Sequence, residues 1–348
     1  MIHNENKWPL EHWLIELCTK CSLKCPRCLR QEQGFVTPNR DLSLQWFKEN
    51  FTGKLLTDVR KITWSGVRGD PIYAKDFLSI LDYIKSNNDR VQNVIITNGS
   101  YKTKDWWKSL DSILTDTDNI HFSIDGWDQK SNNLYRVNCD WDSILQGIDQ
   151  LKNSDAYKTW AFIVFKFNQY KIDDIQHLAQ TLKFDEFQIT YSAKFNKVMK
   201  GYPDDDPLQP NDEFISSRWR HDRKYIKLSN KVRYEPVNDV FLDRFLNTDS
   251  DKQLLPLCKV GNKGLYINAT GAFHPCCWVE PTYENLPGGK SVFNLLADSR
   301  KSLTEQMNDE RWKKVFSAWD KGSTNKNFTM CWDKCSKKTW NQNQATMF

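Results

Sequence analysis

The 348-residue chain contains no run approaching the roughly eighteen apolar residues of a membrane-spanning helix, which argues against a helical membrane protein. Its start, MIHNENKWPLEHW, lacks the basic head and apolar stretch of a secretory signal, so the expected location is the cytoplasm, where thiols stay reduced. Charge of one sign is also missing. Forty-nine Lys and Arg against 44 Asp and Glu leave a net charge of +5, which by itself points to neither a nucleic acid nor a membrane partner. No internal repeat or low-complexity tract is present. What remains is a folded chain with enough apolar content, 39%, to bury a core.

Two residue types stand out against that background. Fifteen tryptophans are read chiefly as core. Ten cysteines in a reducing compartment point to metal binding or catalysis rather than disulfides. Four of the ten fall in CTKCSLKCPRC, residues 18 to 28.

From residue 13 to about 191, short β-branched or aromatic runs alternate with longer amphipathic ones. The expected strands are 12–17, 60–65, 93–98, 119–124, 159–167 and 186–191; the expected helices lie near 43–56, 74–87, 103–115, 141–152 and 171–183. Six βα steps with near-continuous apolar strands predict a buried parallel sheet, either doubly wound or curled into a barrel. Both arrangements gather function beyond the carboxyl ends of the strands. Those ends carry the cysteine cluster, SGVRGDP (65–71), TNGS (97–100), SIDG (123–126) and FKFNQ (165–169). Lys166, Asn168 and Tyr191 are therefore candidates for the substrate side of the site.

Cys21, Cys25 and Cys28 form C-x3-C-x2-C in the loop leaving the first strand. Three thiolates at that spacing suit one 4Fe-4S cube and leave its fourth iron without a protein ligand. Zinc is the alternative, with Cys18-x2-Cys21 and Cys25-x2-Cys28 as its four sulfurs, although zinc ribbons usually set their pairs much further apart.

IELCTKCSLKCPRC, followed in order by SGVRGDP and SIDG, resembles the radical S-adenosylmethionine superfamily over roughly residues 10–195. The resemblance implies an α/β fold, a partial (βα)6 TIM-like barrel, in which Cys21, Cys25 and Cys28 hold the cluster and Cys18 is not a ligand. It implies that S-adenosylmethionine chelates the open iron and is cleaved reductively to a 5'-deoxyadenosyl radical that abstracts a substrate hydrogen. By the same resemblance Gly66, Gly69 and Asp70 would contact the cofactor's amino end, Ser123 and Asp125 its ribose and methionyl parts, and Arg136 its carboxylate. One position departs from the family: the residue before the third cysteine, commonly aromatic and packed near the adenine, is Arg27.

Residues 196–257 break the alternation and read as a bridge between a core of residues 1–195 and a module of residues 258–348. Arg218, Arg220, His221, Arg223, Lys224, Lys227, Lys231 and Arg233 crowd part of this bridge; they could receive an anionic substrate, the plainer reading being a solvated basic helix face. In the last module CKVGNKGLYINATGAFHPCC reads as a hairpin, so the module is expected to be a small hairpin and helix unit. Its Gly-x4-Cys step resembles the SPASM and twitch extensions of the same superfamily, which implies a second, auxiliary 4Fe-4S cluster on Cys258, Cys276, Cys331 and Cys335. Structural zinc on the same thiolates, or Cys277 in place of its neighbour, are the alternatives; Cys139 reads as an inert thiol.

The expected activity is thus radical chemistry on a small, anionic, nucleotide-like or sugar-like substrate, with net oxidation if the auxiliary cluster accepts an electron, and with a flavodoxin or ferredoxin as reductant. A peptide is the second reading. The cluster loop starts at residue 18, so no peptide-recognition domain is expected ahead of it. A third reading, from another class, is a zinc protein that binds nucleic acid through the basic bridge and its tryptophans.

Overall fold

The runs rich in Ile, Phe, Trp, Val and Thr form six strands: β1 (His12–Ile15), β2 (Lys61–Trp64), β3 (Gln92–Thr97), β4 (Asn119–Ser123), β5 (Tyr157–Ile163) and β6 (Glu186–Tyr191). The computed structural model describes residues 6–32, 38–195, 206–216, 222–236, 254, 256–259, 261, 264–279, 293, 296–321, 331, 332 and 335. Neighbouring strands from β1 to β6 are parallel, as βα connections require. Helices α1 (Leu29–Glu32), α2 (Leu44–Asn50), α3 (Gly53–Asp58), α4 (Phe77–Asn87), α5 (Lys104–Asp111), α6 (Gln129–Asn132), α7 (Trp141–Gln150) and α8 (Ile172–Thr181) supply the crossovers. The expected N-caps operate at Ser43, Thr103 and Asp140, whose side chains accept from the backbone N–H groups of Trp46, Trp106 and Ser143.

Two expected boundaries move. The helix expected over 43–56 is broken between Asn50 and Gly53, where Gly53 takes a left-handed φ of 52°. β5 stops at Ile163 rather than 167, because the Asn168 side chain turns the chain out of the sheet. It accepts from the Phe165 N–H (2.7 Å) and donates to the Ile163 carbonyl (3.0 Å) and the Asp125 carbonyl (2.8 Å).

The sheet continues beyond the six units. Within the basic segment, β7 (Asp222–Lys227) pairs antiparallel with β6, so this stretch is a strand and not the solvated helix face expected of it. All six of its residues pair with β6, from Asp222 opposite Tyr191 to Lys227 opposite Glu186. Arg218, Arg220 and His221 lie outside the described residues. The C-terminal hairpin is β8 (Leu265–Ile267) and β9 (Phe273–His274), and β8 adds parallel to β1. The order is β7-β6-β5-β4-β3-β2-β1-β8-β9, an open sheet built on a partial TIM-like arrangement. Two helices, Leu303–Met307 and Arg311–Asp320, lock the hairpin from outside: Gln306 bonds the Gly271 carbonyl and the Phe273 N–H, while Trp8 packs edge-on against Phe273, Trp312 and Phe316.

The strands alternate rather than run continuously apolar. On the helix side stand Trp13, Ile62, Trp64, Ile95, Phe122, Trp160, Phe162 and Phe187, all essentially solvent-free. The opposite, concave side carries Thr63, His121, Ser123, Gln188 and Thr190 among smaller apolar residues. One face thus supplies cohesion and leaves the other available for polar function. Trp160 is the centre of the cohesive face, packed on Phe184 and Phe187 with its indole N–H on the Ile124 carbonyl. Trp160→Ala is expected to lower the unfolding free energy by about 3–5 kcal/mol in urea denaturation.

Candidate functional site

The cysteine loop leaves β1 and is held at several points by the loops that follow β2, β3 and β4. Lys24 N–H donates to the Val137 carbonyl (2.9 Å), Asn98 Nδ2 to Cys21 Sγ (3.7 Å), and the Ser22 hydroxyl meets the Tyr73 hydroxyl at 2.6 Å, while Arg30 closes the segment on itself through the Cys21 carbonyl (2.6 Å). Cys25 is buried, while Cys21 and Cys28 are half-buried. Burial pushes the Cys21 thiol up to about 12 and raises that of Cys25; the neighbouring cysteines add to both shifts. A pocket that disfavours thiolates this strongly gains from a cation or a metal at the sulfurs. Cys18 is tied down differently, its Sγ donating to the Asp70 carbonyl at 3.2 Å within the core.

Gly66 and Gly69 let the SGVRGDP loop close on itself and on the cysteine loop. A Cβ on Gly69 would stand 1.9 Å from the Cys18 carbonyl oxygen, and one on Gly66 2.3 Å from the Gly69 carbonyl oxygen. The Asp70 backbone N–H then reaches the Lys20 carbonyl at 2.8 Å. The Asp70 carboxylate is buried and accepts from Ile72 N–H, Thr97 Oγ1, Asn98 N–H and Asn98 Nδ2, so it ties the ends of β2 and β3 together.

Ser123 is half-buried at the end of β4 and lines the cavity. Asp125 is fully buried: it accepts from the Ile163 N–H at 2.7 Å and from Arg136 Nε at 2.6 Å. The structure brings Arg136 to Cys25 as well, where its charge counters the upward shift of the thiol. Cys25, Asp125 and Arg136 form one cluster at the mouth, with Ser123 at its edge.

Below the mouth lies a cavity of about 490 Å³ on the concave face of the sheet. Arg27 faces into it, pairs with Asp206 and lies over the Phe195 ring at 5.6 Å. That is its structural explanation: a guanidinium here joins the cysteine loop to the chain beyond β6. Of the substrate-side candidates, Asn168 is a buried turn residue, and Lys166 and Tyr191 do not line the cavity. The inner wall is made instead by alternate strand positions, among them His121, Gln188, Thr190 and Tyr225. The signal that marks them in the sequence is polar residues at every second place in otherwise apolar strands.

The second cysteine set also assembles. Cys258, Cys276, Cys331 and Cys335 lie close enough that their charges oppose one another's ionisation, on top of burial. Cys277 starts the short turn Cys277–Val279, and its charge opposes ionisation of its neighbour Cys276. Cys139 is buried beside Gln129. Among the described residues no three Cys, His, Asp or Glu side chains converge as a single-ion site. A four-iron cube carries each thiolate on a separate iron and holds its sulfurs further apart than one ion does.

Residues 15–182 match the model of the radical SAM superfamily. They belong to that superfamily. Membership implies a 4Fe-4S cluster and S-adenosylmethionine, and the thiols of Cys21, Cys25 and Cys28, carried on one loop with the Arg136 guanidinium beside Cys25, fit such a group. Among solved structures, the chain is similar to Streptococcus suis SuiB bound to S-adenosylmethionine (TM-score 0.52, 13% identity, 94% of this chain and 72% of that one). It is also similar to SuiB bound to the precursor peptide SuiA (TM-score 0.50, 14% identity, 94% and 70%) and to native anSMEcpe with bound AdoMet (TM-score 0.50, 13% identity, 92% and 87%). At these identities the likeness is one of fold. No curated protein matches the chain in sequence.

Two expectations test this geometry. Gly69→Ala places a methyl into the Cys18 backbone, and is expected to cost about 3 kcal/mol of stability and to lower the iron bound after reconstitution, read by thermal melting and iron analysis. Burial and nearby cations lower His12 to about 4 and His121 to about 3, so both are neutral in the fold while the unfolded chain protonates them near 6.5. Their contribution is present above about pH 6.5 and is lost as pH falls through the folded values. Between pH 7 and pH 5 the urea-unfolding free energy is expected to fall by about 2 kcal/mol for each, and His12→Gln to remove its share.

Proposed function

We propose that the chain uses reductive cleavage of S-adenosylmethionine to abstract a hydrogen atom from a small anionic substrate held in the cavity under the cysteine loop. The observation that carries this is the meeting of Cys25, on the loop that also holds Cys21 and Cys28, with Arg136 and Asp125 over a cavity whose lining, among the described residues, includes cations and no carboxylate. The cluster supplies one electron to the sulfonium when bound. The chain's own residues position and exclude: Arg136 offers a guanidinium for the cofactor carboxylate, and Asp125 fixes that guanidinium from below. Gly66 and Gly69 bring backbone close to the cofactor's amino end, and Ser123 presents a hydroxyl at the cavity wall. The Asp70 carboxylate acts through the loop it clasps, since its oxygens already serve Ile72, Thr97 and Asn98.

Cys258, Cys276, Cys331 and Cys335 hold a second 4Fe-4S cluster in this reading, in a twitch-like module of residues 258–348, with residues 196–257 as the bridge. A cluster held by these four thiolates would supply an acceptor for one electron from the substrate radical, and the net reaction would then be an oxidation. The reaction runs in the cytoplasm with a flavodoxin or ferredoxin as reductant. A peptide substrate is the second reading, favoured by the shared fold with SuiB bound to its precursor peptide SuiA. The superfamily match favours either over a zinc protein that binds nucleic acid.

Anaerobically reconstituted protein is expected to hold about eight irons per chain, to release 5'-deoxyadenosine under strong reductant, and to lose that release by more than about a hundredfold in Cys25→Ala. Cys258→Ala is expected to bring the iron down to about four. Unchanged cofactor cleavage in Cys25→Ala would overturn the assignment.

A further inference from the structure

The cavity wall is electrostatically one-sided. Arg27, Lys61, Arg136, Lys194, Arg223 and Arg233 all line it, and among the described residues no Asp or Glu does. Four of these cations are answered by carboxylates set behind the wall: Arg27 by Asp206, Lys61 by Glu235 at 2.9 Å, Arg136 by Asp125, and Arg233 by Glu186 at 3.3 Å and Glu235 at 2.9 Å. Lys194 Nζ donates to the Arg27 carbonyl. Arg223 has no acidic partner among the described residues.

The register places Arg223 at the upper wall. It stands opposite Thr190, which stands opposite Ile163, the residue whose N–H binds Asp125. His121 projects from β4 one inward step below Ser123, level with Ile96 and Thr159. It is only 8% exposed, lines the same cavity, and its Nε2 has no hydrogen-bond partner. A buried polar nitrogen left unsatisfied costs about 1–3 kcal/mol, and a ligand atom in the cavity relieves that cost. Burial, helped by the surrounding Arg233, Lys61 and Arg223, keeps the imidazole neutral, so it meets an anion as a hydrogen-bond donor rather than as a further cation.

We propose that Arg223 and His121 form an oxyanion subsite within this cavity that takes the phosphate or carboxylate group of the substrate. The subsite rests on the reading of this cavity as the substrate chamber. It lies on β4 and β7, with two strands between them, so the anion sits under the mouth and apart from the Asp125–Arg136 pair assigned to the cofactor. Arg223 supplies the charge and the forked donor geometry, and His121 the directional bond from the opposite wall.

Equilibrium dialysis of the full-length reconstituted protein, saturated with S-adenosylmethionine, against radiolabelled inorganic phosphate or radiolabelled acetate tests this directly. At least one probe is expected to bind saturably at one site per chain. Phosphate in preference to acetate assigns a phosphorylated substrate, and the reverse a carboxylate. Arg223→Gln is expected to weaken that binding at least about tenfold, Arg223→Lys to restore part of it, and His121→Phe to weaken it about threefold. Lys224→Gln, an exposed change on the same strand, serves as the surface-charge control and is expected to change nothing. Absence of saturable binding of both probes, or equal binding in wild type and Arg223→Gln, overturns the subsite. Release of 5'-deoxyadenosine by the wild type is measured separately: cleavage without anion binding rejects the subsite alone, and anion binding without cleavage rejects the proposed activity alone.

Discussion

The site depends on one buried carboxylate. Asp70 is 6% exposed, and every hydrogen bond that its two oxygens accept comes from protein groups at the ends of β2 and β3. Its backbone does as much: the N–H holds the Lys20 carbonyl and the carbonyl receives the Cys18 thiol. Three consecutive strand ends are thereby clamped at a single residue. Such close approach is possible because Gly69 has no Cβ to strike the Cys18 carbonyl. Burial raises Asp70 to about 6, against the hydrogen bonds that favour the charged form, so the clamp is a compromise between desolvation and donors. The cysteine loop inherits its position from this clamp, and with it the position of all three thiols.

The order of the motifs was legible because each sits at a strand end, and strand ends are marked by composition. β-branched and aromatic runs separated by capped amphipathic helices recovered all six parallel strands, with β5 cut short by a local interaction, the Asn168 side chain, that no periodicity reports. Cys21, Cys25, Cys28, Ser123, Asp125 and Arg136 became candidates through a family resemblance carried on local motifs. Their mutual arrangement, with Asp125 serving Arg136, depends on β4, β5 and the following helix meeting in space, which spacing alone does not encode.

What stayed hidden is the inner wall. His121, Gln188 and Thr190 look like ordinary interruptions of apolar strands until the sheet curves and turns every second residue inward. β7 was hidden for a related reason. Its charges suggest solvent, yet an edge strand of an antiparallel pair tolerates charged residues on its open side while presenting Arg223 and Tyr225 to the cavity. Arg27 was visible as a departure from the family, and its meaning came only with Asp206 and Phe195, contributed by chain far away in sequence.

These long-range pairings change how the chain beyond β6 is understood. A cavity lined by six cations among the described residues would repel itself open without countercharge, since like charges in a partly desolvated space are strongly unfavourable. Asp206 and Glu235, which neutralise Arg27, Lys61 and Arg233, come from the segment that reads as a bridge. The same segment supplies β7, which extends the wall. A connecting segment that provides both the countercharge and a strand of the chamber is structurally part of it. Arg223, which has no carboxylate partner among the described residues, comes from the same segment and lines the space a substrate would fill.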